Sequence, residues 1–147
     1  MGLYDRILVP TDGSEATRRA IREAVALAAE HDATIHALYV LNTASFASIP
    51  TESSVEGVSE MLEREGDAAL DDVEKEAVER GVPVERVQLD GSPAREIVRY
   101  AEREDCDLVV MGTHGRGGID RLLLGSVAER VVRSSSVPVL TVRVDDD

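Results

Sequence analysis

The chain has 147 residues, 43% of them hydrophobic, and its 29 acidic residues against 16 Lys and Arg give a formal net charge of -13. That length suits one domain, expected to span residues 1–147, with enough buried surface to fold without disulfides or a structural metal. A surface this negative repels a nucleic-acid backbone, and no apolar run approaches the ~18 residues needed to cross a bilayer, so nucleic-acid and membrane-spanning roles are excluded.

The first expected strand, Tyr4 to Pro10, carries Ile7, Leu8 and Val9, a continuous apolar run suited to burial on both faces. Asp12, Gly13 and Ser14 then turn the chain into a helix over Glu15 to His31, with Ser14 as its N-cap and Ala20, Ala24, Leu27 and Ala28 on one face. A second strand is predicted over Thr34 to Leu41. The polar, Ser- and Thr-rich stretch Asn42 to Glu56 has no regular period and is read as a loop. A long acidic helix follows from Val58 to Arg80, with Met61, Leu62, Ala69, Val73 and Ala77 as its buried stripe; Gly81 and Pro83 end it.

The third strand, Val84 to Leu89, is more polar and suits a sheet edge. Ser92 and Pro93 supply an N-cap and first-turn proline for a helix through Glu104. Leu108 to Met111 is the fourth strand, and a glycine-rich loop from Gly112 to Gly125 leads from it into a helix over Val127 to Arg133. The fifth strand is Val137 to Val142. Strands and helices alternate throughout, as in an open five-stranded parallel sheet with helices on both faces.

Gly112, Gly115, Gly117 and Gly118 fall within seven consecutive positions directly after a buried strand. Glycine lets the backbone approach a ligand and turn several amides toward one point, and Gly125 and Ser126 open a helix whose first amides are unpaired. Such a cradle suits phosphate, whereas Ser126 with Glu129 also reads as a capping box. A Walker A loop is excluded because the sole lysine, Lys75, lies far away in a helix. A dinucleotide fingerprint is excluded by the single glycine in Pro10-Thr11-Asp12-Gly13-Ser14 and by Asp120 in the later loop. A phospho-receiver reading lacks its lysine, since Arg143 follows the fifth strand.

Asp12 lies just past the first strand, where open α/β sheets bind ligands. It can accept ribose hydroxyls, hold a cation, or simply form a turn. Strand order 3-2-1-4-5 would put Asp12 and the glycine loop on one crevice; order 2-1-3-4-5 would leave the loop less central. Arg116 and Arg121 offer local positive charge near that loop, and His114 is either a phosphate donor or a turn residue. His31 and His36 are too far apart for a metal pair, and Cys106 reads as a small packing residue. One cysteine excludes an intrachain disulfide framework and a Cys-cluster zinc site. The opening residues lack a basic region followed by an apolar core, so a cytoplasmic location is expected. The near-absence of lysine and the closing Asp145, Asp146 and Asp147 suit a chain soluble in high salt, as in halophiles.

These motifs carry a resemblance. From Ile7-Leu8-Val9-Pro10-Thr11-Asp12-Gly13-Ser14 to Val137-Pro138-Val139-Leu140, the sequence resembles the universal stress protein (UspA-like) family. Gly112, Gly115, Gly125 and Ser126 match the glycine spacing of its ATP-binding branch without a gap. The resemblance implies an adenine-nucleotide α-hydrolase-like fold of order 3-2-1-4-5 and ATP, with Mg²⁺ or Mn²⁺, as ligand. It implies Pro10, Thr11 and Asp12 at the adenosine, Val40 walling the adenine, and Met111 and Gly112 completing that side. His114, Gly115, Arg116, Gly117, Gly125, Ser126 and Val127 would then surround the phosphates. It also implies a homodimer through the last strand, Val137 to Val142. The expected role is a nucleotide-dependent regulatory protein of the stress response whose downstream partner the sequence does not name. A slow ATPase or nucleotidyl-transfer enzyme of the same fold is the alternative, and a ligand-free scaffold a third reading. No residue stands out as a base aimed at a γ-phosphate, and the H-x-G-H motif of the related transferases is absent.

Overall fold

The computed structural model describes residues 3–42, 52–113 and 126–143, without the side chains of Ala16 and residues 52–59. Strands and helices alternate as β1 (Arg6–Pro10), α1 (Glu15–His31), β2 (Thr34–Leu41), α2 (Glu52–Glu79), β3 (Val84–Asp90), α3 (Pro93–Arg103), β4 (Leu108–Gly112), α4 (Ser126–Ser134) and β5 (Val139–Val142). All pairings are parallel and the sheet order is β3-β2-β1-β4-β5, which settles the topology between the two orders the sequence allows. β1 is central, in register with β2 through Leu8↔His36 and with β4 through Leu8↔Val109.

Successive strand residues point to opposite faces, so the sheet has two cores. On one face Ile7, Val9, Ile35, Ala37 and Val110 meet α1 through Ala20, Ala24 and Ala28, and α2 through Ala69, Leu70, Val73 and Ala77. On the other, Leu8, Leu38, Val109 and Met111 meet Ile97 and Ala101 of α3 and Ala128 and Val131 of α4. The apolar run of β1 is therefore continuous because both of its faces are covered. Among the described residues no helix is long and apolar enough to cross a membrane.

Several bounds and one buried position differ from the sequence reading; β1, for one, begins at Arg6 rather than Tyr4. α2 begins at Glu52, so the last part of the predicted loop Asn42–Glu56 is helical. Met61 is 41% exposed and lies outside the buried stripe. That stripe instead runs through Leu62, Gly66, Ala69, Leu70, Val73 and Ala77, and Met61 sits ~100° around the helix from Leu62. β5 begins at Val139 because the Ser135 hydroxyl turns the chain before it, accepting from the Val137 amide at 2.9 Å and donating to its carbonyl at 2.7 Å.

β3 is an edge, as its polarity suggests. Arg86 reaches back to α2, pairing with Asp71 at 2.6 Å and Glu74 at 2.7 Å, and Gln88 donates to Asp67 at 2.9 Å. Under the opposite face His36 is buried with Nδ1 2.7 Å from the Tyr100 hydroxyl, linking β2 to α3. Burial lowers the His36 pKa from 6.5 and pushes Tyr100 up to about 12.

A histidine whose folded pKa is depressed stabilises the fold above its unfolded value and loses that contribution as pH falls through it. Replacing His36 with glutamine removes the titration. The urea midpoint of the wild type should therefore drop relative to His36→Gln between about pH 8 and pH 5. A constant difference across that range would show that burial of His36 does not govern acid stability.

Candidate functional site

The order β3-β2-β1-β4-β5 makes the chain reverse its direction of travel between β1 and β4. In open α/β sheets the carboxyl ends at such a switch point form a crevice. β1 and β4 pair at Ile7↔Leu108 and Leu8↔Val109, while β1 runs on to Pro10 and β4 to Gly112. Both segments singled out in the sequence leave from this point, one into α1 and one toward α4.

The β1 side is a tightly bonded turn. Pro10 is half-buried and Thr11 buried, with the Thr11 amide donating to the Leu38 carbonyl at 2.9 Å. Gly13 has φ +79, and its amide donates to the Thr11 hydroxyl at 3.1 Å. Asp12 is exposed, and its Oδ1 accepts from the Ser14 amide at 2.9 Å and from the Thr17 hydroxyl at 2.7 Å. The first of these bonds is an Asx turn, so the turn-forming reading of Asp12 is realised in the structure. Ser14 occupies the N-cap position with extended φ and ψ but makes no side-chain cap hydrogen bond; its hydroxyl lies 3.0 Å from that of Thr17.

On the β4 side Met111 is buried, Gly112 half-buried and Thr113 buried, with the Thr113 amide donating to Val142 at 3.1 Å. Val40 and Val127 are half-buried and pack against the same apolar cluster as Met111 and Leu38. Val40 of β2, Met111 of β4 and Val127 of α4 thus border one apolar cluster on the α3 and α4 face of the sheet. His114, Gly115, Arg116, Gly117 and Gly125 lie outside the described residues, as does Arg121.

Ser126 is exposed and is the first helical residue of α4. A capping box needs serine just before the helix; with Ser126 inside it, Glu129 sits one position too far along, and its carboxylate accepts from Arg133 at 3.0 Å. Among the described residues no three His, Cys, Asp or Glu side chains converge as a metal site, and His31 and His36 are separately engaged. Cys106 is buried, and burial pushes its thiol up to about 12, so it packs rather than reacts. Sequence reasoning did not single out Thr17, whose hydroxyl bonds the Asp12 carboxylate. Its one visible signal is a hydroxyl on the first turn of the helix that follows Asp12.

A parallel sheet of this order, with a turn-held carboxylate on one side of its switch point and Gly112 on the other, is an open α/β domain whose strand ends form a crevice. The chain belongs to the universal stress protein family, whose model matches residues 3–143. It is 47% identical over 141 residues to universal stress protein MJ0531 of Methanocaldococcus jannaschii, covering 96% of this chain and 83% of that protein. The solved structure of MJ0577 from the same organism matches with a TM-score of 0.87 at 31% identity, covering 99% of each chain. A universal stress protein solved in complex with cAMP matches with a TM-score of 0.69 at 26% identity, over 95% of this chain and 97% of that one.

Proposed function

We propose that this chain is an ATP-binding regulatory protein of the stress response, with the nucleotide seated at the switch point between β1 and β4. The observation that supports the reading is that the Asp12 turn, Val40 and Gly112 lie at the carboxyl ends of β1, β2 and β4 around the switch point, with Val40 and Val127 packed against the apolar cluster that holds Met111. An adenine ring suits an apolar wall with a polar rim, and the fixed Asp12 carboxylate is the group to receive ribose hydroxyls. Pro10 and Thr11 complete that side. The solved relative bound to cAMP adds support, since cAMP shares the adenosine half of ATP.

The phosphates are assigned to the loop that starts at Gly112, through Gly115, Arg116 and Gly117, with His114 beside them and Gly125, Ser126 and Val127 at the start of α4. One helix terminus stabilises an anion by roughly 0.3 to 1 kcal/mol, so several amides, Arg116 and a Mg²⁺ or Mn²⁺ ion would act together. Such an ion would be shared with the oxygens of the nucleotide phosphates. The protein works as a homodimer through its last strand. In support, β5 lies at a sheet edge and Leu140 on it is 37% exposed.

Equilibrium binding of labelled ATP with Mg²⁺, followed by product analysis after long incubation, tests this reading. Bound and unchanged ATP is the expected result, steady ADP release would make the protein an enzyme, and no binding would overturn the assignment. Asp12→Asn keeps an acceptor for Ser14 and Thr17 but removes the carboxylate charge. ATP affinity should then fall about tenfold, as expected for a hydrogen bond to a charged group, while the thermal midpoint stays close to that of the wild type. Unchanged affinity would take Asp12 out of the site.

A further inference from the structure

We propose that Thr17 is the positioning residue for the Asp12 carboxylate and that it sets the preference for nucleotides bearing ribose hydroxyls. The inference rests on the nucleotide reading above. Thr17 lies in the first turn of α1 and is 7% exposed, with its hydroxyl 2.7 Å from Asp12 Oδ1. Its proton goes to that carboxylate, so the 3.0 Å contact with Ser14 has the serine hydroxyl donating to Thr17. The result is a directed chain from Ser14 through Thr17 to Asp12, built on a helix rather than on the turn alone.

The Ser14 amide alone would close the Asx turn around Asp12. A second donor to the same Oδ1 fixes the plane of the carboxylate and hence the direction of Oδ2. Most of the α1 face beside Thr17 packs apolar side chains, Ala20, Ile21 and Ala24, into the core. A buried hydroxyl there is costly unless bonded, and its partner is the Asp12 carboxylate just past β1. A carboxylate held in this way meets the ribose without reordering at the moment of binding, which is how preorganisation raises affinity.

Thr17→Val keeps the shape of the side chain and removes the donor. The experiment measures equilibrium binding of ATP and of 2′,3′-dideoxy-ATP, both with Mg²⁺, to the wild type, Thr17→Val and Thr17→Ser. Wild type should prefer ATP. Thr17→Val should lose about tenfold in ATP affinity and nothing in dideoxy-ATP affinity, and Thr17→Ser should restore the preference. In an Asp12→Asn background Thr17→Val should have no further effect on ATP. A merely structural role would weaken both nucleotides equally, and that result overturns the proposal.

A wild-type preference retained in Thr17→Val overturns the positioning role alone. A wild type that binds neither nucleotide overturns the nucleotide reading and this one with it. Should Thr17→Val fail to fold, Thr17→Ala carries the same comparison.

Discussion

Leu8→Ala is expected to lower the free energy of unfolding by about 3 to 5 kcal/mol, the upper part of the range for buried leucines. Leu8 is fully buried on the central strand, bonded through its backbone register to His36 of β2 and Val109 of β4, and it packs in the α3 and α4 core. The cost of a truncation depends on how far the surroundings collapse into the space left behind. Here both neighbouring strands are fixed by the ladder, and the helices across from Leu8 meet other strands as well, so little relaxation is available. Urea unfolding of Leu8→Ala beside Leu140→Ala gives the contrast. Leu140 is 37% exposed on an edge strand, and its truncation should cost under about 1 kcal/mol in the monomer. A loss of similar size for both would mean that the core around Leu8 is loosely packed.

Gly66→Val should destabilise the chain by about 3 kcal/mol, for the opposite reason. Gly66 is buried in α2 where the helix crosses the sheet, and a Cβ there would lie 2.6 Å from Tyr39 Cδ2 and 3.0 Å from Gln88 Nε2. Tyr39 is itself 8% exposed within the α1 and α2 core, so its ring cannot swing away cheaply. Alanine is the better helix former by about 1 kcal/mol, yet Gly66→Ala should still lose stability because its Cβ meets the same ring. A double-mutant cycle with Tyr39→Ala isolates the contact: the penalty at position 66 should shrink markedly once the ring is gone. If Gly66→Ala proves stabilising, the helix does not approach the sheet this closely.

The elements and their parallel sheet were legible because each strand announces itself by an apolar run and each helix by its own period, while the residues left two strand orders open and only the family resemblance favoured one of them. The start of α2 was not, since Glu52 to Gly57 carry no repeating apolar face from which a helix can be read. Met61 was misplaced for a related reason. With Gly66 contributing to the buried stripe without any side chain, the period looks shifted by one residue. At the site, Asp12 was visible from its place past a strand end, whereas Val40 came only with the family resemblance; in the structure Val40 and Val127 pack against the apolar cluster that holds Met111. Thr17 was hidden because a threonine in a first helical turn has many ordinary uses, and only the 2.7 Å contact reveals which one applies. Ser126 and Glu129 matched a capping pattern that fails by one position, a shift no sequence spacing discloses.

The two rims of the sheet are unlike. β3 carries Glu85, Arg86 and Asp90, whereas Val139-Leu140-Thr141-Val142 in β5 carries no charge. Were both rims apolar, one molecule's β3 could add to the next one's β5, and such head-to-tail growth has no natural stopping point. Ionic side chains on β3 oppose that addition. The proposed homodimer, with two copies of β5 meeting about a twofold axis, would instead consume the sticky rim of both. If the proposed β5 pairing forms, the charge asymmetry between the first and last strands of the sheet would act as a chain terminator and keep the assembly finite.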